Sequence, residues 1–204
     1  MPPGASSTSA TIQALCRANL GVLRQKLHLM DVMSTRFGLQ EAGMLYAKSC
    51  PIVGASIGQH VRHSMDHLEM AARLAAAAVI TGNSDVGLHY DLRQRGGPDE
   101  DDMAAAGLRI NNTIQLLESM ERSKELCLPD RLVNAYFMLS ADPTEFRLPT
   151  TIEREMGFCA HHSIHHLAMV RVIALETIGL TADDLGNDFG RAPSTLVFDN
   201  DSSS

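Results

Sequence analysis

The chain has 204 residues, 45% hydrophobic and 20% charged, with a formal net charge of −7. That length suits one well-buried domain, and the acidic balance argues against nucleic acid as a main partner. Aromatic residues are only 4% and Trp is absent, so an Ala-, Leu- and Met-rich helical chain is expected over a strand-rich one. The four cysteines form no C-x-x-C pair and read as reduced thiols. No basic, apolar leader opens the chain and no run of ~18 apolar residues interrupts it. The expectation is therefore a soluble, cytoplasmic protein without a membrane partner.

In chain order, residues 1–10 and the last five are small or polar and read as disordered. A first helix is predicted over Thr11–Arg36, where Ile12, Leu15, Leu23, Leu27, Met30 and Met33 recur at helical intervals. Pro51 and Gly54 break the chain. Ser56 is placed to cap a second helix that runs to about Ile80, with Gly82 and Asn83 as its stop. After a Gly- and Pro-containing loop, the acidic run Asp99–Asp102 suits the start of a third helix ending near Lys124. The segment Leu132–Arg147 contains Pro143 and is expected to be a short hairpin or an irregular connection. Thr150 or Thr151 is placed to cap a fourth helix, which ends at Ile178 before Gly179. The remainder, from 181 onward, is read as a tail with one helical turn. The sum is an all-α, four-helix bundle over 11–180 with an embellished last connection.

Seven of the nine histidines lie in two blocks: His60, His63 and His67, then His161, His162, His165 and His166. On a helix the first three fall within an arc of ~60°, on a stripe continued by Met70 and Leu74. Imidazoles on a core-directed stripe need partners, and a metal ion satisfies several at once. In the second block, His161 with His165 and His162 with His166 are both i, i+4 pairs, a spacing that puts two nitrogens on one ion. Periodicity does not choose between them, because the two stripes are about equally apolar. One second-helix His plus either pair makes a three-His site with an open position. Neither the E-x-x-H of di-iron bundles nor the H-E-x-x-H of zincins is present.

These residues resemble the DinB-like (YfiT-like) superfamily of metal-binding four-helix bundles. The family carries one His on the second helix and an H-x-x-x-H on the last, often written H-x-x-H-H. H-S-I-H-H, from His162 to His166, matches that register and selects His162 and His166. S-I-G-Q-H-V-R-H-S-M-D-H-L aligns the first ligand with His63, with His67 second and His60 third. Arg154 and Glu155, the stretch Tyr90–Arg95 and F-G-R-A-P-S-T near the end resemble a DinB-like subgroup. The family's common H-R-G-Q ending is H-L-A-M here.

The resemblance implies one divalent ion (zinc, nickel, iron or manganese) on His63, His162 and His166. It also implies a metal-dependent enzyme acting on a small molecule, with thiol transfer ahead of hydrolysis and a low-molecular-weight thiol as partner. Related bundles often form homodimers. The rival reading is a non-enzymatic, metal-tied structural bundle. Around the site, Tyr90, Asp91, Arg93 and Arg95 are candidates to bind an anionic group, or to pair among themselves and anchor a loop. Arg154 and Glu155 are candidates to pair structurally or to orient a ligand imidazole. Asp66 is a candidate to orient one, to act as a base towards bound water or simply to face solvent or a neighbouring helix, and Cys159 is a candidate soft ligand or a small hydrophobe.

Overall fold

A computed structural model describes residues 8–81, 87–92, 96–122 and 132–202. The described chain is predominantly helical with one small sheet, in the order α1 (Thr8–Phe37), α2 (Leu39–Ala47), α3 (Ile57–Thr81), β1 (Leu88–His89), α4 (Pro98–Asp101), α5 (Met103–Arg122), β2 (Leu132–Met138), β3 (Glu145–Thr151) and α6 (Ile152–Ile173). α6 runs on into a π-helical turn, Ala174–Ile178, and α7 (Ala182–Leu185) and α8 (Pro193–Ser202) follow. No helix among the described residues is long and apolar enough to cross a membrane. No disulfide joins the described cysteines Cys16, Cys50 and Cys159, and Cys127 lies outside the described residues.

The chain forms two compact units from interleaved stretches. Unit 1 comprises Met1–Gly21, Asp66–Arg95 and Asn111–Ala160; unit 2 comprises Val22–Met65, Gly96–Ile110 and His161–Ser204.

Unit 1 packs Ile12, Cys16 and Leu20 of α1, Leu68, Ala72 and Ala75 of α3, Leu117 of α5 and Met156 of α6 into its interior. Their three- and four-residue spacings are the buried stripes of amphipathic helices. Asn19, buried among them, gives its amide to the carbonyls of Leu15 and Met156 at 2.9 and 3.1 Å. The sheet has the order β1–β2–β3. β2 and β3 are antiparallel, registered from Leu132↔Thr151 to Met138↔Glu145, and β1 lies parallel to β2. Of the two alternatives for Leu132–Arg147, the hairpin is the one present, its second strand running on to Thr151, and the two-residue β1 is an addition to an otherwise helical expectation. In the hairpin loop, Asp142 Oδ1 accepts from the Thr144 amide and hydroxyl at 3.2 and 2.8 Å. Such Asx contacts close a turn without help from the core.

Unit 2 buries Leu23, Met30, Met33, Tyr46, Ile57, Val61, Met65, Leu167, Val170, Ile173 and Phe189. Here α2 occupies a stretch for which no helix was expected, holding on through Ala42 and Tyr46. The acidic run is also arranged differently from expectation. Asp99–Asp101 belong to the single turn α4, and the chain is extended at Asp102. Asp102 Oδ1 then accepts from the Ala104 and Ala105 amides and starts α5. α5 is described to Arg122, and the expected end near Lys124 lies outside the described residues, as do Gly82 and Asn83.

Both chain ends are more helical than expected. α1 begins at Thr8, and α8 extends through Asn200 to Ser202. At the end of the π-helical turn, Gly179 takes the left-handed conformation (φ 79°) and the Leu180 amide returns to the Ala174 carbonyl. That is a C-terminal stop of the kind a glycine allows.

Candidate metal centre

The helix carrying the first histidine block starts with a reciprocal cap. Ser56 Oγ accepts from the Gln59 amide at 3.1 Å, and Gln59 Oε1 accepts from the Ser56 amide at 3.0 Å. This fixes the phase of α3 from its first turn. α4 is then held against that turn. Gly58 lies so close to the Glu100 carbonyl that a Cβ would stand 1.9 Å from its oxygen. Glu100 pairs with Arg62 at 2.9 Å and accepts from Gln59 Nε2 at 3.1 Å, while the Tyr46 hydroxyl donates to the Asp99 carbonyl.

On α6, Thr151 accepts the Arg154 amide at 3.2 Å as a helix cap. Of the two i, i+4 pairs, His161 and His165 are exposed, while His166 is buried and His162 half-buried. The buried stripe of α6 runs through Cys159, Ser163, His166, Val170 and Ile173. Burial therefore breaks the tie that periodicity leaves.

Three imidazoles meet in unit 2. His63, His162 and His166 each offer one nitrogen, and these lie within 4.8 Å of one another. His162 Nε2 stands 3.2 Å from His63 Nε2 and 3.2 Å from His166 Nε2. The rings are nearly perpendicular, at 80°, 79° and 86° for the three pairs. A neutral imidazole nitrogen is either a donor or a one-lone-pair acceptor, so His162 Nε2 does not serve two good hydrogen bonds at once. A shared ion removes that conflict. Two nitrogens bound ~2.1 Å from one ion stand ~3.0 Å apart at a right angle and ~3.4 Å apart at the tetrahedral angle. Both 3.2 Å spacings fall between those values, and the third pair lies within 4.8 Å, so the donor set could hold a divalent ion.

Burial, and after it the nearby imidazoles of His162, His63, His60 and His165, lower the pKa of His166 to about 2. The ring is therefore neutral, as a ligand must be. Burial, then His165, lowers His60 as well. His60 stands outside the three-nitrogen group: its Nδ1 lies 2.8 Å from Nδ1 of His166, on the far side of that ring from Nε2. Sequence spacing gives no sign of this contact.

The C-terminal F-G-R-A-P-S-T stretch braces α6. Gly190, in the left-handed region at φ 67°, approaches the backbone of Leu167 and Ala168 so closely that a Cβ would lie 2.7 Å from the Leu167 oxygen. Its amide donates to Gln25 Oε1 at 2.9 Å, and Arg171 donates to the carbonyls of Gly186 and Phe189 at 3.3 and 3.1 Å.

The remaining candidates belong to unit 1, where Tyr90, Arg154 and Glu155 form a network of their own. Glu155 is 1% exposed and accepts from the Tyr90 hydroxyl at 2.8 Å, the Thr150 hydroxyl at 2.7 Å and Arg154 Nη1 at 2.7 Å. His67 is buried and stacks on Tyr90 at 4.6 Å and 8°. Cys159 Sγ donates to the His67 carbonyl at 3.3 Å. Asp91 accepts the Met138 amide at 2.8 Å, an anchoring role for its loop. Asp66 is half-buried on α3, and Arg93 and Arg95 lie outside the described residues.

Against known proteins, the chain is 28% identical over 161 residues to FK506-binding protein 5 of Rhizopus delemar, covering 79% of this chain and 38% of that protein. The chain thus spans little more than a third of that relative's length. No family model matches it. No solved structure matches it.

Proposed function

We propose that this protein is a DinB-like four-helix bundle and a metal-dependent enzyme acting on a small molecule. The carrying observation is the convergence of His63, His162 and His166, two pairs of nitrogens at 3.2 Å around a partly solvent-reached centre. One imidazole from α3 and an i, i+4 pair from α6 would hold the ion and leave part of its shell open to a substrate. When bound, a divalent ion there supplies Lewis acidity, which acidifies a thiol or water or polarises an electrophile. The Ser56–Gln59 cap sets the direction of His63, and the Gly190 contact seats the helix turn that carries His166. Three imidazoles suit zinc, nickel, iron or manganese. Thiol transfer ranks ahead of hydrolysis through the family resemblance, which makes a low-molecular-weight thiol the leading substrate.

A second reading is favoured by the origin of the donors on two helices: an ion that ties α3 to α6 without catalysis. Two measurements separate these outcomes. Elemental analysis after reconstitution should find about one equivalent in the wild type and little in His166→Ala; under ~0.2 equivalents in both would sink the metal reading. Chelation followed by far-UV circular dichroism should then strip the ion while helicity persists. Collapse of helicity on chelation favours the structural reading.

A further inference from the structure

We propose that His60 is a positioning residue for the metal centre, its Nδ1 accepting the hydrogen of His166 Nδ1 so that His166 Nε2 is held as a ligand; the inference rests on the metal reading above. A neutral imidazole carries one N–H and one lone pair. At 2.8 Å, the facing Nδ1 atoms of His60 and His166 need one hydrogen between them. Two arrangements exist. If His60 donates, the His166 hydrogen moves to Nε2, pointing among His63 and His162, and His166 is lost as a ligand. If His166 donates, its Nε2 lone pair faces the other two nitrogens.

Either way the second nitrogen of His60 takes no compensating bond, because its Nε2 is buried without a hydrogen-bond partner among the described residues. The pair is therefore balanced internally, and an ion at the three nitrogens selects the arrangement in which His60 accepts. Carboxylates and backbone carbonyls are the usual acceptors for a ligating imidazole, and losing such a partner typically weakens metal affinity ten- to a hundredfold. Here a neutral ring from the adjoining turn of α3 does that work. His60 and His63 are one turn apart, so a single helix supplies both a ligand and the acceptor that orients another.

The test is Co2+ binding by the full chain, followed by the visible ligand-field spectrum and by competition with a chelating dye. The variants are His60→Ala, His60→Asn and His60→Gln. Asparagine places an amide oxygen near the Nδ1 position, whereas glutamine reaches the Nε2 position instead. The expected result is a ten- to hundredfold weaker affinity in the alanine and glutamine variants, with asparagine within about threefold of wild type and an unchanged spectrum. Because asparagine and glutamine are close in chemistry, their contrast holds even if the alanine variant does not fold.

Wild-type-like affinity in both the alanine and glutamine variants would overturn the positioning role and leave the metal reading standing. An asparagine variant as weak as alanine, with shifted bands, would overturn it in favour of direct ligation by His60. A wild type that binds neither Co2+ nor Zn2+ would overturn the metal reading itself, and the positioning role with it.

Discussion

Gly190→Ala tests the bracing of α6. The residue sits at φ 67°, where a side chain adds roughly 1–2 kcal/mol of backbone strain. The new Cβ would also stand 2.7 Å from the Leu167 oxygen, 2.8 Å from its carbonyl carbon and 3.0 Å from the Ala168 nitrogen. Those are backbone atoms of α6, which yield only if the helix moves, and such overpacking costs about 1–3 kcal/mol. Together these give about 3 kcal/mol, a Tm lower by ~10 °C for a chain of this size. Gly179→Ala is the internal control. It has the same handedness, φ 79°, with nothing within 4 Å, so it should show the strain alone, a loss of ~4 °C. Differential scanning calorimetry of the two variants reads the difference directly. If both melt within ~2 °C of each other, the close approach of Gly190 to α6 is wrong. Because the contact lies beside His166, metal affinity should also fall in Gly190→Ala and hold in Gly179→Ala.

Three further outcomes are expected. His161→Ala and His165→Ala should keep the metal content of the wild type, whereas His162→Ala should lose it, since only the latter ring belongs to the three-nitrogen group. Glu155→Ala removes a fully buried acceptor of two hydroxyls, and should lose about 3 kcal/mol in urea unfolding. Arg154→Ala, on the half-exposed side of the same network, should lose under ~1 kcal/mol, and equal losses would contradict the arrangement. Burial, assisted by Glu121, raises the Cys16 thiol to about 11. Alkylation of the native protein at pH 8, followed by peptide mass spectrometry, should therefore find the fully buried Cys16 at least about a hundredfold slower than an ordinary thiol, with the rate rising towards pH 11.

Much of this organisation is written in local chemistry. Ser56 and Gln59 announce the start of α3 because a capping box needs only residues three apart. The hairpin is legible as a departure from helical periodicity. α2 is not, since its hold on unit 2 comes from Ala42 and Tyr46 in a nine-residue helix that contains a glycine. β1 exists only through its pairing with β2, so two residues carry no signal of their own.

The histidines divide in the same way. Spacing narrows the α6 candidates to two pairs, and packing of the Cys159–Ile173 stripe exposes His161 and His165. His60 shares an arc with His63, yet its Nδ1 faces the back of the His166 ring, which depends on how two helices abut. Tyr90 and Glu155 turn to each other in unit 1 for the same reason: a buried carboxylate takes whichever donors the fold brings to it.

Since the donors divide between one position on α3 and a pair on α6, the centre acts as a gauge of helix phase. A single residue inserted between Ser56 and His63 would turn His63 by ~100° and move it along its axis by ~1.5 Å, leaving His162 and His166 with a missing third. The same insertion in the hairpin loop at 139–144 changes the phase of neither helix. Length variation can therefore accumulate in that loop without disturbing the meeting of the three imidazoles, whereas the short interval from the α3 cap to His63 admits none.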